Sequence, residues 1–315
     1  MNAPVTSLRR LHLAVLLASA LVVLAAVGGC DTVSPEPTSE VVVEAYLIAD
    51  EPLPGVRLTR SVAASDRFTP ADAAVRGADV AIQQLNDAGA VAATYPYEES
   101  DSLSVYQPVD EAPTVQPQTR YRLQVRTTEG ATVQAETTVP GRIDVLRVAN
   151  TDVTYQGGVQ PQFVIRPARG TTRPSTYAFA ITAQLDFDAT SDEALAEALT
   201  PFYADVYDPD ETDIAEFERV ASPLINEASF TFNDDGTITL DVPWIGFAFY
   251  GANTVTINAP DENYYDLVRT QDAQQGGLAP GEIPNVIDRV EGGTGIFGSL
   301  SRAGTTITVR RPPGL

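Results

Sequence analysis

Four closely spaced aspartates, Asp205, Asp208, Asp210 and Asp213, stand in the run DVYDPDETD. Clustered carboxylates suit Ca²⁺, a hard cation that takes several oxygen ligands. The run lacks the glycine and the terminal glutamate of an EF-hand loop. Helix capping within a solvated acidic loop is the simpler account, and no metal is expected. A second cluster is aromatic. Trp244, Phe247, Phe249 and Tyr250, with Tyr264 and Tyr265, offer rings that could stack on a sugar or a peptide. If 244–250 is a strand, Phe247 and Phe249 share one face and Trp244 and Tyr250 the other. Apolarity on both faces reads first as a buried central strand and second as a binding patch of Trp244, Phe247, Tyr250, Tyr264 and Tyr265.

Two further motifs carry weaker chemistry. Gly293–Gly298 (GTGIFG) spells G-x-G-x-x-G. A dinucleotide site would need that turn to open a helix, with an acid about 20 residues on. Here Ser299–Val309 reads as strand, so the glycines are expected to let the chain bend and to bury Ile296 and Phe297. Arg120, Arg122 and Arg126 share one strand face. They are expected to pair with cross-strand acids such as Glu136, with an anion or partner contact as the alternative.

What is missing constrains the chemistry more tightly. The 315 residues include 42 acids against 20 basic residues, all of them Arg, giving a net charge of −22. There is one Cys, one His and no Lys. A Ser-His-Asp or Cys-His nucleophile needs an imidazole, Schiff-base chemistry needs a Lys, and zinc is held mostly by His and Cys. Paired carboxylates are the acid/base machinery that remains, so a carboxylate-based hydrolase is the enzyme alternative. No cofactor is expected. The acidic balance argues against nucleic acid as a partner. It fits either a salt-adapted surface or a cationic partner. At 43% hydrophobic residues the chain can bury a core.

The sole His and the sole Cys both lie in an N-terminal address. Arg9-Arg10 are a positive start, Leu11–Val27 an apolar run containing His12, and Gly28-Gly29 small residues before Cys30. This order describes a secretory signal, and a Cys after Val27-Gly28-Gly29 resembles a bacterial lipobox. Residues 1–29 are thus expected to be a lipoprotein signal peptide, cleaved before a lipidated Cys30. Residues 30–39, with Pro35 and Pro37, are expected to be an extended tether.

Downstream, short apolar runs and turn residues alternate, as in an all-β chain. Glu40–Ala49 reads as a strand, as do the alternating pairs Val56/Leu58 and Val80/Ile82. In Arg120–Arg126, Tyr121, Leu123 and Val125 point one way, and a turn at Thr128-Glu129-Gly130 leads into Ala131–Val139. Tyr177–Phe187 alternates over 11 residues. Asp186–Glu218 then holds 12 acids and no base. It fits two short helices, one capped by Thr190 with Glu193 before Ala194–Leu199, the other by Asp213 with Glu216. Ala228–Phe232, Thr237–Val242, Val255–Ile257, Tyr264–Val268, Ile296–Leu300 and Thr305–Arg310 read as further strands. Two β-sandwich domains are expected. The first, 40–140, is immunoglobulin- or transthyretin-like, and the second, 141–315, has a helical acidic insertion at about 189–221.

These stretches together resemble a known family. The lipobox and tether are followed by VVVEAYL at Val41–Leu47, VRLTRSV at Val56–Val62 and VRGADVAI at Val75–Ile82. The hairpin Tyr121–Val139 ending TTVP, Ile143-Asp144, Asn263-Tyr264-Tyr265 and the glycine run Gly292–Gly298 also match. The chain resembles an uncharacterised, domain-of-unknown-function family of outer-membrane lipoproteins from Bacteroidota and relatives, encoded beside TonB-dependent receptors. The resemblance implies a lipid-anchored, non-enzymatic accessory or binding component of a transport system. It would lie on the periplasmic face or the cell surface, with the membrane and a TonB-dependent receptor as partners. A stand-alone carbohydrate- or peptide-binding lipoprotein is the alternative.

Overall fold

Apolar–polar alternation sets where the strands run and which face they bury. The computed structural model describes residues 39–63, 66–102, 104–167, 176–275 and 289–314, with the side chains of 271–275 excepted. The expected signal peptide, Cys30 and all of the tether but Ser39 lie outside the described residues. In β1 (Val41–Ile48), Val41, Val43, Ala45 and Leu47 are buried, every second residue. β2 (Val56–Arg60), β3 (Asp79–Leu85), β4 (Val91–Glu99) and β5 (Val105–Pro108) follow, with a one-turn helix α1 (Pro70–Ala73) between β2 and β3. β6 (Arg120–Arg126) and β7 (Thr132–Thr138) form the expected hairpin, pairing Leu123 with Ala135 and Val125 with Val133. Tyr121, Leu123 and Val125 all point into the first core.

The second half begins with β8 (Asp144–Ala149), β9 (Asp152–Thr154), β10 (Gln162–Arg166) and β11 (Ala178–Ala183). An insertion follows, with helices α2 (Asp192–Ala198) and α3 (Pro201–Ala204) and a 3₁₀ turn at Ile214–Phe217. Then come β12 (Arg219–Ala221), β13 (Thr231–Phe232), β14 (Ile238–Asp241), β15 (Gly251–Pro260), helix α4 (Glu262–Gln275), β16 (Val290–Glu291) and β17 (Thr294–Arg310). The fold is all-β. Among the described residues one large sheet runs β12-β11-β15-β17-β1-β2-β5-β4-β3-β6-β7-β16, with β9 beside β17, and a small sheet runs β13-β14-β10-β8.

The two halves are joined by β17, which is one strand of 17 residues where two were expected. Its first part pairs in parallel with β1, from Val42↔Thr294 to Ile48↔Leu300. Along β15 it pairs antiparallel from Pro260↔Leu300 to Gly251↔Val309. Phe297 and Val290 therefore sit in the first core, among residues of 41–139. Ile307 and Val309 sit in the second core with Phe163, Phe179, Leu240 and Phe247. A cut at 140/141 divides the sequence but leaves the first core holding residues from both sides. The expected glycine bend is present, and it serves this pairing. Gly295 has φ +107, and a Cβ there would lie 2.1 Å from the Val43 carbonyl oxygen. Only glycine permits β1 to approach so closely.

Five local expectations are corrected. Trp244–Gly246 is a 3₁₀ turn and not the start of a strand. Gly246 N donates to Pro243 O (3.0 Å) and Phe247 N to Trp244 O (3.1 Å). A side chain at 246 would strike Ile181, so the turn lies tight against β11. As a result Phe247 enters the second core, while Phe249 enters a third cluster with Leu195, Leu199 and Ile214 beneath the insertion. Tyr264–Val268 is helical. The Asp261 carboxylate accepts from Tyr264 N (2.9 Å) and caps α4. The strand expected over Tyr177–Phe187 ends at Ala183. The cap of α2 is Ser191, whose hydroxyl accepts from Ala194 N, rather than Thr190. Asp213 caps the second turn as expected, accepting from Ala215 N (3.0 Å). Ala228–Phe232 is a 3₁₀ turn at Glu227–Ser229 and a two-residue strand.

Candidate functional site

The large sheet curls until its far end, β7 and β16, returns to β17 and the start of α4. A cavity of about 700 Å³ lies at this closure, its lining including Arg120, Asn263, Arg289 and the acids Glu136, Asp261, Glu262 and Glu291. Its polar groups are largely engaged with one another. Thr137 donates its hydroxyl to Asp261 Oδ2 (2.5 Å) and lies 2.6 Å from the Ser299 hydroxyl. Asn263 Nδ2 donates to the carbonyls of Glu136 (2.6 Å) and Phe297 (2.8 Å). Arg289 bonds Asp266 (2.8 Å) and approaches Glu262 (3.2 Å). Burial pushes the Asp261 carboxyl above the usual aspartate range, because desolvation outweighs the hydrogen bonds it accepts. The group is the cap of α4 and the clasp of the curled sheet. Bonds between residues 124 and 162 positions apart meet there.

Two of the three arginines on the expected face pair with Glu136 as read. Arg122 Nε donates to Glu136 Oε1 (2.8 Å), and Arg120 lies 3.8 Å from the same carboxylate. Exposed pairs of this kind add about 0–1 kcal/mol each, so they order a surface more than they stabilise a fold.

The aromatic residues expected as one patch fall among two sets of neighbours. Trp244 and Tyr250 pack edge-on against Tyr155, with ring centroids 5.5 and 5.8 Å away. Phe247 is wholly buried, and the Arg311 guanidinium covers Tyr250 at 5.0 Å. Tyr264 instead meets Tyr46 of β1 at 5.7 Å, and Tyr265 N donates to Asp261 O (3.1 Å) in the first turn of α4. Burial pushes the Tyr46 hydroxyl up to about 12. Of the four aspartates, Asp208 accepts from Asp210 N (2.9 Å) and Asp213 caps a turn. Asp205 closes α3 through its backbone N–H to Pro201 O (3.0 Å). Among the described residues no three His, Cys, Asp or Glu side chains converge on a point that would hold a metal. Gly293–Gly298 opens a strand and no helix, so it is no dinucleotide turn.

A site of different character lies at the open end of the second sandwich. The two sheets part between β11–β12 and β14, leaving a cleft of about 460 Å³. Ile181, Val220, Pro223, Phe230, Leu240 and Ile245 line it, and Asp241 is its one charged residue. Ile245 and Phe202 stand at the rim, 55% and 46% exposed. An apolar cleft with exposed apolar residues at its rim has the composition of a ligand pocket. The sequence carried no local signal for it. The walls come from β11, β12, the 223–230 loop, β14 and the Trp244 turn, none of which shows the pattern alone.

The charge around this cleft is uneven. Over 186–241 the chain has 16 acids and one base, Arg219. Elsewhere many arginines are paired with acids, as in Arg142–Asp50, Arg302–Glu51 and Arg310–Asp152, while Arg311 donates to the Glu197 carbonyl of the insertion. Among the described residues no acid of 186–218 takes part in an ion pair. Much of the surplus negative charge of the sequence is therefore concentrated in the stretch that supplies the lining residues Phe202, Tyr203 and Asp241.

In comparisons with known proteins, no curated sequence matches the chain. Among solved structures it is similar to an α-2-macroglobulin from Salmonella reacted with methylamine, at 8% identity and a TM-score of 0.23, over 86% of this chain and 15% of that one. It is also similar to an elastase-activated α-2-macroglobulin from Escherichia coli, at 11% identity and a TM-score of 0.22, over 86% and 23%. The chain thus spans less than a quarter of the length of these macroglobulins, and scores so low add nothing to the fold described above. The family model described as a domain of unknown function, DUF4249, matches residues 31–306, and the chain belongs to that family.

Proposed function

We propose that the protein is a non-catalytic binding component of the outer membrane. It is held there by lipid on Cys30 and works beside a TonB-dependent receptor. One contrast carries the choice of binding over catalysis. The polar cavity spends its buried carboxylate, Asp261, and its hydroxyls on closing the sheet, whereas the apolar cleft has a rim of exposed Ile245 and Phe202 and little else to satisfy. A cleft of that size and lining suits uptake of an apolar group. The anchor follows from the signal-like run ending at Cys30, and the receptor from the family resemblance.

The test is fractionation followed by affinity purification. The full chain is expected in the membrane pellet, and Cys30→Ser is expected to move it to the soluble fraction. A β-barrel receptor is expected to co-purify with the anchored form. A Cys30→Ser protein that stays membrane-bound removes the anchor. Absence of a barrel partner in several detergents removes the receptor and leaves a stand-alone peptide- or carbohydrate-binding lipoprotein.

A further inference from the structure

We propose that the cleft at the open end of the second sandwich takes the apolar side chains of a basic peptide, whose cationic residues are held by the acidic insertion. The inference rests on reading that cleft as a binding site and adds the class of its ligand.

Two independent observations meet here. The first is shape and chemistry. A cavity of about 460 Å³ opens between the sheets, walled by Phe179, Ile181, Val220, Phe230, Leu240 and Ile245. It has room for one or two large apolar side chains and offers few polar partners to a sugar. The second is charge. The segment that supplies the lining residues Phe202 and Tyr203 also supplies twelve acids without a base. Glu227 stands in the turn that carries the lining residue Ser229, and Asp241 lies in the wall itself. Among the described residues none of the acids of 186–218 takes part in an ion pair, while acids in other parts of the molecule do. An apolar ligand alone gains nothing from that field. An acidic ligand is repelled by it. A peptide with apolar residues among arginines or lysines satisfies both parts, and its encounter is steered by the same field.

The chain carries its own reporter. Trp244 is the sole tryptophan, and it stands between Pro243 and Ile245, which both line the cleft. The experiment titrates residues 31–315 with the capped peptide Arg-Arg-Phe-Leu-Arg-Arg, with its counterpart Glu-Glu-Phe-Leu-Glu-Glu, and with dodecanol. Trp244 emission and calorimetry are read in parallel. The basic peptide is expected to bind at least tenfold more tightly than the acidic one. Its affinity is expected to fall at least fivefold between 50 and 500 mM salt as charges are screened. Ile245→Glu and Phe202→Ser, both at exposed positions, are each expected to weaken it about tenfold. A double change, Glu227→Gln with Asp241→Asn, is expected to reduce the salt dependence and to leave dodecanol binding unaltered. If both peptides and dodecanol bind with equal affinity, and Ile245→Glu abolishes all three, the cleft is a binding site and the basic-peptide assignment is overturned. If none of the probes binds by calorimetry, the reading of the cleft as a site falls with it.

Discussion

Gly295→Ala is expected to destabilise the protein by about 3–4 kcal/mol, near the top of the range for single substitutions. Two costs combine. The residue holds φ +107, where an L side chain is strained by about 1–3 kcal/mol. In addition, a Cβ would sit 2.1 Å from the carbonyl oxygen of Val43 and 2.9 Å from its nitrogen. Those atoms are backbone of the paired strand, so relief requires β1 and β17 to move apart. Gly236 supplies the comparison. It has φ +78 with no heavy atom within 4 Å of a new Cβ. Gly236→Ala is therefore expected to cost only the conformational part, about 1–2 kcal/mol. Urea unfolding of both variants measures the difference. Equal losses would show that the close approach of β1 to Gly295 is not what the glycine serves.

The second large effect is at Asp261. Asp261→Ala is expected to cost about 2–4 kcal/mol, since it leaves the α4 cap and the Thr137–Ser299 hydroxyl pair without their acceptor. Asp261→Asn keeps the size and removes the charge, and its comparison with the parent isolates a pH dependence. The folded carboxyl holds its proton more tightly than the ordinary aspartate value of 3.8. A raised folded value means that the contribution is fully present below about pH 3.8 and is lost as pH rises through the folded value. The stability of the parent relative to Asp261→Asn is thus expected to fall with rising pH across that window, at no more than about 1.4 kcal/mol per pH unit. Denaturant midpoints of the two proteins between pH 4 and 8 supply the check. A constant difference, or one that grows with pH, would mean that the buried group is ionised throughout.

Strands with one wet face were legible because each carries its own evidence. β1 and the β6–β7 hairpin alternate strictly, and the structure buries the residues that alternation assigns. Trp244–Tyr250 misled because Phe247 and Phe249 are two apart, the spacing of one strand face. In fact they enter different clusters. Tyr264–Val268 misled through strand-favouring residue types, although Tyr264, Leu267 and Val268 also stand at i, i+3 and i+4 after a capping aspartate. The Asp261 clasp and the apolar cleft were beyond local reading for a common reason. Each is assembled from segments remote in the chain, and no residue in either is unusual in its own neighbourhood.

The pairing of β1 with β17 also determines how the fold answers a pull. The two strands run parallel and share seven registered residue pairs, Val42↔Thr294 to Ile48↔Leu300. The evenly spaced bonds of a parallel ladder lie across the strand direction. Tension applied at the N-terminal end of β1 and resisted at the far end of β17 loads that row in shear, so the bonds are stressed together and not one after another. On the other side, β2 grips β1 over Val41–Glu44. A molecule drawn by its leading strand, as one tethered to a membrane while its ligand is taken away would be, meets the force at the seam that joins its two cores.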